Sequence, residues 1–251
     1  MSMWTDDEHR LMSQKTIQVV ARVMRFFDKF HVKCWLYMGA LLGAIRNGVI
    51  LRWDYDVDLG CNRRDMEKIV SILDRFVTEE MFVVVNETFG NISIIPSNPH
   101  SFFDINLEFL FENETCFWRF HHSERFYKLR DSAFSYLFLR LLMRCLNISN
   151  HRISSNSKLK WLSSLLPNHV KSLISNLSWS IHKRLKLIVP HAYPKFFNDL
   201  STITFYGEKV FVPQNYEAYL SYHYGNWREP NRNWTHYVES GALNKHYELE
   251  V

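Results

Sequence analysis

Residues 52–61 read RWDYDVDLGC, with three aspartates at alternate positions among apolar and aromatic side chains. Side chains alternate across a strand, so the spacing predicts a strand over about 52–59. Asp54, Asp56 and Asp58 would project from one face, and Trp53, Tyr55, Val57 and Leu59 from the other. Carboxylates that close repel one another, and the arrangement persists where a cation sits among them or water covers them. A strand of this kind needs a sheet that buries one face and opens the other.

The flanking sequence supplies such a sheet. Over residues 8–30, Leu11, Ile17, Val20, Val23, Met24, Phe27 and Phe30 recur at helical spacing between charges, which predicts an amphipathic helix. CWLYM (34–38) reads as a short buried strand, and ALLGAIRN (40–47) as a helix closed near Gly48. RRDMEKIVSILDRFV (63–77) is a second amphipathic helix. FVVVNE, NISIIPS and SFFDINLEFLFE are strand-like runs separated by turn chemistry. The order of elements predicts an α/β (α+β) fold, a mixed sheet flanked by helices, over residues 1–120. Residues 121–200 read as a basic helical insertion packed on that core, broken by Pro167, Pro190 and Pro194, and 201–251 as the segment that completes the same domain.

Composition narrows the class. With 251 residues, 47% hydrophobic and 16% aromatic, the chain carries enough apolar surface for a proper core and is not a low-complexity sequence. No run approaches the ~18 consecutive apolar residues of a membrane span, and MSMWTDDEHR shows no signal-peptide pattern. Cys34, Cys61, Cys116 and Cys145 form no C-x-x-C pair and read as buried free thiols. Of the 30 Lys and Arg residues, 14 lie between Arg119 and Lys195, against only Glu124 and Asp131. That asymmetry points to an anionic partner, either a phosphorylated substrate or a membrane surface met by the basic helices of 131–195. No nucleic-acid motif accompanies the charge, so nucleic acid is not expected as a partner. Sequons at Asn86, Asn91, Asn113, Asn147, Asn176 and Asn233 favour a glycosylating lumen, whereas the missing signal peptide favours the cytoplasm.

Three stretches carry chemistry: MGALLGAIR (38–46), WDYDVDLG (53–60) and FFDINLEF (102–109). Mg²⁺ takes one or two carboxylates together with substrate phosphate oxygens, with Mn²⁺ as the alternative ion. Asp56 and Asp58 suit that task, and Asp104 from another strand is the third carboxylate, with Glu108 a weaker candidate on the same face. Such a set holds a metal against a nucleotide diphosphate. Gly39 and Gly43 follow a strand and admit two readings, close approach of phosphate to backbone N–H groups or tight helix–sheet packing. Arg46 either meets a phosphate or pairs with a nearby aspartate.

The residues Gly39-Ala-Leu-Leu-Gly-Ala-Ile-Arg46, Trp53-Asp-Tyr-Asp-Val-Asp-Leu-Gly60 and the apolar-Asp-apolar strand at Asp104 resemble the LicD/fukutin family, nucleotidyltransferase-fold phosphotransferases. The resemblance is closer to the fukutin-related branch than to the bacterial phosphocholine transferases, which usually read W-D-D-D-I-D. FYGEKVFVPQNYEAYLSYHYGNWREP (205–230) is similar to the family's C-terminal segment. The resemblance implies transfer of a phosphorylated alcohol, phosphocholine or ribitol phosphate, from a CDP-linked donor to a glycan or glycoprotein hydroxyl with release of CMP, in the Golgi lumen. It implies Asp56 and Asp58 as Mg²⁺ ligands, Asp104 as a third carboxylate on metal or acceptor, and Gly39–Gly43 facing the donor phosphates. Asn47 and Arg52 depart from the usual His and Pro, and no cysteine zinc site is present. Two other readings stay open: a D-x-D glycosyltransferase using a nucleotide sugar, and an inactive relative that binds glycan or membrane.

Overall fold

Thr5 starts the first helix, α1 (Asp6–Asp28), with a reciprocal cap. Its hydroxyl accepts from the Glu8 N–H at 3.3 Å while the Glu8 carboxylate accepts from the Thr5 N–H at 2.8 Å. Ile17, Val20, Val23, Met24 and Phe27 are buried along one stripe, as the periodicity requires, but Leu11 turns outward and is 53% exposed. The computed structural model describes residues 4–86, 91–112, 117–120, 188–192 and 194–230, with scattered positions from 167 to 181. Most of the basic helical stretch expected over 131–200, with Cys116, Cys145 and the sequons at Asn113, Asn147, Asn176 and Asn233, falls outside the described residues. At its end a strand (Ile188–Ala192) and a 3₁₀ turn (Pro194–Phe196) replace the expected helix, where Pro190 and Pro194 supply no N–H for helical bonds.

The chain divides into two compact units. One comprises Met1–Val85, Asn91–Phe117 and Pro190–Val251, and the other Asn86–Gly90 and Trp118–Val189. In the first, β1 (Cys34–Leu36) leads into α2 (Met38–Leu42), which passes directly into one π-helical turn over Gly43–Asn47. Gly48 ends that turn at φ 66°, a left-handed conformation that glycine adopts without a Cβ clash, and its N–H reaches back to the Gly43 carbonyl.

β2 spans Asp56–Asn62, which corrects the strand expected over 52–59. The Asp54 N–H donates to the Leu51 carbonyl at 2.9 Å and closes a turn. Arg52 is drawn toward the start of α1, donating to the Trp4 carbonyl at 2.7 Å and pairing with Asp6 at 2.8 Å. Extended backbone therefore begins only at Asp56. Val57 and Leu59 are fully buried as expected, but Trp53 and Tyr55 are 63% and 47% exposed instead of sharing that face.

A 3₁₀ turn (Arg63–Asp65), α3 (Met66–Leu73), β3 (Met81–Asn86), β4 (Asn91–Pro96) and β5 (Asp104–Glu112) follow. The strands lie in the order β1-β2-β5-β4-β3. β1 is antiparallel to β2, β2 parallel to β5, and β5 antiparallel to β4, so the sheet is mixed as the sequence predicts. Ile105 and Leu107 on β5 and Ile92 and Ile94 on β4 join Val57 and Leu59 in the core. The Thr16 hydroxyl on α1 accepts from the Phe103 N–H at 2.9 Å, fixing where β5 begins and hence where Asp104 stands.

β6 (Phe117–Phe120) and β7 (Ile188–Ala192) come next in the chain. β8 (Leu200–Phe205) and β9 (Glu208–Pro213) then form an antiparallel hairpin about Tyr206 and Gly207, both with positive φ, the conformation that suits a two-residue turn. β9 packs on α1 and β1. Helix α4 (Tyr216–Tyr224) brings Tyr219 against Phe197 with ring centroids 5.0 Å apart, and Phe197 stacks on Trp35 at 5.1 Å.

Candidate functional site

The register of β2 against β5 builds the site. Asp56 lies beside Asp104 and Asp58 beside Asn106, and Asn106 lies in turn beside Ser93 on β4. Partners in register project from the same sheet face, so acidic and amide side chains from three strands share one side. The Asn106 amide donates to Asp56 Oδ2 at 2.9 Å and, more weakly, to Asp58 Oδ1 at 3.4 Å.

Above this face opens a cavity of about 860 Å³, lined by Asp54, Asp56 and Asp58, by Gly39 and Arg46, and by Trp227 with its neighbours from the C-terminal segment. The exposed Trp53 stands on its rim. Asp104 flanks Asp56 but is not among the lining residues. The two glycines have different surroundings. A β-carbon at Gly39 would fall 2.5 Å from Asp54 Oδ2, so that glycine leaves room for a carboxylate of the site. One at Gly43 would fall 2.6 Å from the Val49 carbonyl, and the Gly43 N–H already donates to the Gly39 and Ala40 carbonyls. Gly43 thus packs the turn against residues 49–51 and offers its N–H to no ligand.

Arg46 donates to Asn47 Oδ1 at 2.7 Å and to the Trp227 carbonyl at 3.2 Å. Among the described residues Arg46 pairs with no aspartate; it ties the C-terminal segment to the π turn at the cavity wall. Trp227 is held further by its own N–H to Ser221 Oγ at 3.1 Å and by the Arg228 guanidinium, 4.3 Å from its ring.

The electrostatics record how crowded the acidic groups are. Burial raises the Asp54 carboxyl to about 6, with the charge of Asp56 adding to the shift. Asp56 is also raised, first by loss of surrounding water and then by Asp104 and Glu108, while the Asn106 hydrogen bond opposes the shift. Burial raises Asp104 as well. Each of these shifts would be relieved by a nearby cation. Among the described residues, no three His, Cys, Asp or Glu side chains converge closely enough to cage a metal ion. The donor chemistry fits instead a hard cation held by two carboxylate groups and completed by ligand phosphate oxygens, the habit of Mg²⁺.

Asn106 escapes a reading of the sequence that looks for charge, although its alternation with Asp104 and Glu108 marks it as sharing their face. The thiols of Cys34 and Cys61 are free and buried, opposite one another on β1 and β2.

The aspartates of this site fall within a match to a known family. The model of the LicD/FKTN/FKRP nucleotidyltransferase domain matches residues 31–150. Residues 31–150, just under half of the chain, resemble a LicD-family domain. The matched span includes Gly39, Arg46, all three aspartates of the cavity, Asp104 and Asn106. Over 35 residues the chain is 57% identical to ribitol 5-phosphate transferase FKRP of Mus musculus and, equally, of Homo sapiens. Those residues are 14% of this chain and 7% of either relative's length. Both similarities point to the LicD/FKRP type of protein, and the mixed sheet is consistent with a nucleotidyltransferase-like fold.

Proposed function

We propose that the protein is a Mg²⁺-dependent phosphotransferase, with Mn²⁺ able to substitute, that moves a phosphorylated alcohol of the ribitol phosphate or phosphocholine type from a CDP-linked donor to a glycan hydroxyl. The observation that supports it best is the presentation of Asp56 and Asp58 together, on neighbouring positions of one strand face, at the wall of a cavity and within the span that resembles a LicD-family domain. The new bond forms between the acceptor oxygen and the phosphorus bearing the alcohol. The bond from that phosphorus to the CMP oxygen breaks, and the acceptor proton passes to a carboxylate.

Asp56 and Asp58 would hold the cation, which when bound neutralises charge on the diphosphate. Asp54, on the same wall and with its carboxyl raised to about 6, would take the acceptor proton. Asp104, outside the lining, adds negative charge beside Asp56 and so strengthens its hold on a cation. Arg46 and Trp227, joined by a hydrogen bond, also line the cavity and would limit how the donor enters.

The proposal is tested by thermal shift with CDP-ribitol, CDP-choline, CDP-glycerol and UDP-sugars, each with and without Mg²⁺. A CDP-alcohol that raises the melting temperature only with Mg²⁺ is the expected result. Protection by a UDP-sugar alone would favour the glycosyltransferase reading, and protection by none would favour an inactive binding relative.

A further inference from the structure

We propose that Asn106 is a positioning residue that presents Asp56 and Asp58 as one bidentate platform, and that Ser93 anchors its amide from the far side. This rests on the reading of Asp56 and Asp58 as cation ligands and goes beyond it by adding two uncharged residues that touch no substrate.

The geometry runs across three strands in register. The Ser93 hydroxyl on β4 donates to Asn106 Oδ1 at 2.8 Å, and the Asn106 NH₂ faces Asp56 Oδ2 at 2.9 Å and Asp58 Oδ1 at 3.4 Å. An asparagine amide can be turned over to exchange its oxygen and nitrogen. Here the choice is dictated. An ionised carboxylate only accepts, so an amide oxygen turned toward Asp56 would place three acceptors together without a proton between them. The Ser93 hydroxyl, which could donate or accept, follows that choice by donating to the amide oxygen on the far side and so anchors the amide in place.

Two consequences separate this role from that of a ligand. The Asn106 oxygen is spent on Ser93, so Asn106 offers the cavity only N–H groups, which repel a cation. Those N–H groups instead lie beside two negative charges and hold their oxygens in one arrangement before any ion arrives. Groups one step removed from a metal typically change its affinity by roughly 10–100-fold when lost.

The test is calorimetric binding of Mn²⁺ to the full chain made in bacteria, where the Asn91 sequon stays unmodified. Asn106→Leu is expected to weaken Mn²⁺ binding by roughly 10–100-fold. Ser93→Ala, which removes the anchor on the amide oxygen, is expected to weaken it by several-fold, on the lower side of that range. Ser93→Thr keeps the hydroxyl on a strand position and is expected to bind as the wild type does. Melting temperatures without metal identify any variant that simply fails to fold; the Ser93 pair, one residue further out, reads the same effect if Asn106→Leu is lost that way. Asp56→Asn and Asp58→Asn serve as the reference for the parent reading. If these two lose Mn²⁺ while Asn106→Leu and Ser93→Ala keep wild-type affinity, the positioning role is overturned and the cation site stands. If the wild type binds no Mn²⁺, or both aspartate variants bind as it does, the site and the positioning role fall together.

Discussion

Asp54 Oδ2 occupies the space that a β-carbon on residue 39 would need, 2.5 Å from an ideal Cβ built at Gly39. The first glycine of the GALLG run and the first aspartate of the DYDVD run are therefore one structural unit, joined across a loop. Gly39→Ala is expected to push Asp54 from its place and destabilise the fold by about 1–3 kcal/mol, the usual penalty of overpacking. Chemical denaturation of Gly39→Ala, Asp54→Ala and the double variant checks it. The double variant should be more stable than the sum of the two losses, because removing the Asp54 side chain vacates the site that the new methyl enters.

Asp54 also gives the fold a defined pH dependence. Its carboxyl is raised from 3.8 to about 6, so between those pH values the folded chain binds more protons than the unfolded one. Its contribution to stability is therefore fully present below about pH 4 and lost as pH rises through about 6. Asp54→Asn is expected to be more stable than the wild type at pH 8, by on the order of 1–2 kcal/mol after allowance for partial solvent screening. The difference should close toward pH 4. Urea unfolding of both proteins across that range, without divalent cations, measures it.

Gly60, at the end of the same motif, has a different reason for lacking a side chain. A β-carbon there would lie 2.5 Å from Trp35 Nε1 and 2.6 Å from its Cε2. Trp35 is buried and stacked on Phe197, so the ring has little room to yield. Gly60→Ala should lower stability by about 1–3 kcal/mol or prevent folding. The change in thermal midpoint, together with the near-ultraviolet signal of the tryptophans, reads out the effect.

Arg46 bridges the π turn and the Trp227 carbonyl, so its loss should loosen the C-terminal segment more than the sheet. Arg46→Ala is expected to speed amide exchange around residues 221–228 and leave β2 and β5 unchanged. The local stability lost should be about 1 kcal/mol, the typical worth of one such hydrogen bond. Hydrogen exchange resolved by peptide distinguishes this from a global loss.

Much of the fold is legible because it rests on short-range periodicity. The helical stripe at Ile17, Val20, Val23, Met24 and Phe27 and the alternation Val57, Leu59 against Asp56, Asp58 are patterns within single elements. What is not legible depends on contacts between distant segments. The true start of β2 reflects the pull of Trp4 and Asp6 on Arg52, nearly fifty residues apart in sequence. Arg46 meets Trp227 across 181 residues, and nothing local to Arg46 announces it. Asn106 shares a face with Asp104 on any strand reading, but its role appears only once the register sets it beside Asp58 and Ser93. Asp104 is legible as a carboxylate on a second strand, but its place beside Asp56 comes from the register, and its absence from the cavity lining depends on which distant segments enclose the space.

The most direct test of the central claim is Mg²⁺-dependent release of CMP from the CDP-alcohol that protects the fold, measured for the wild type and for Asp58→Asn. Asp58 lines the cavity and shares the Asn106 amide with Asp56, so its neutral isostere changes charge with little change in shape. A fall of about 10²-fold or more in turnover, with the melting temperature preserved, is the expected result, as for loss of a principal charge-stabilising group. Turnover within a few-fold of wild type, at the same Mg²⁺ concentration, would contradict the assignment of these aspartates to the reaction.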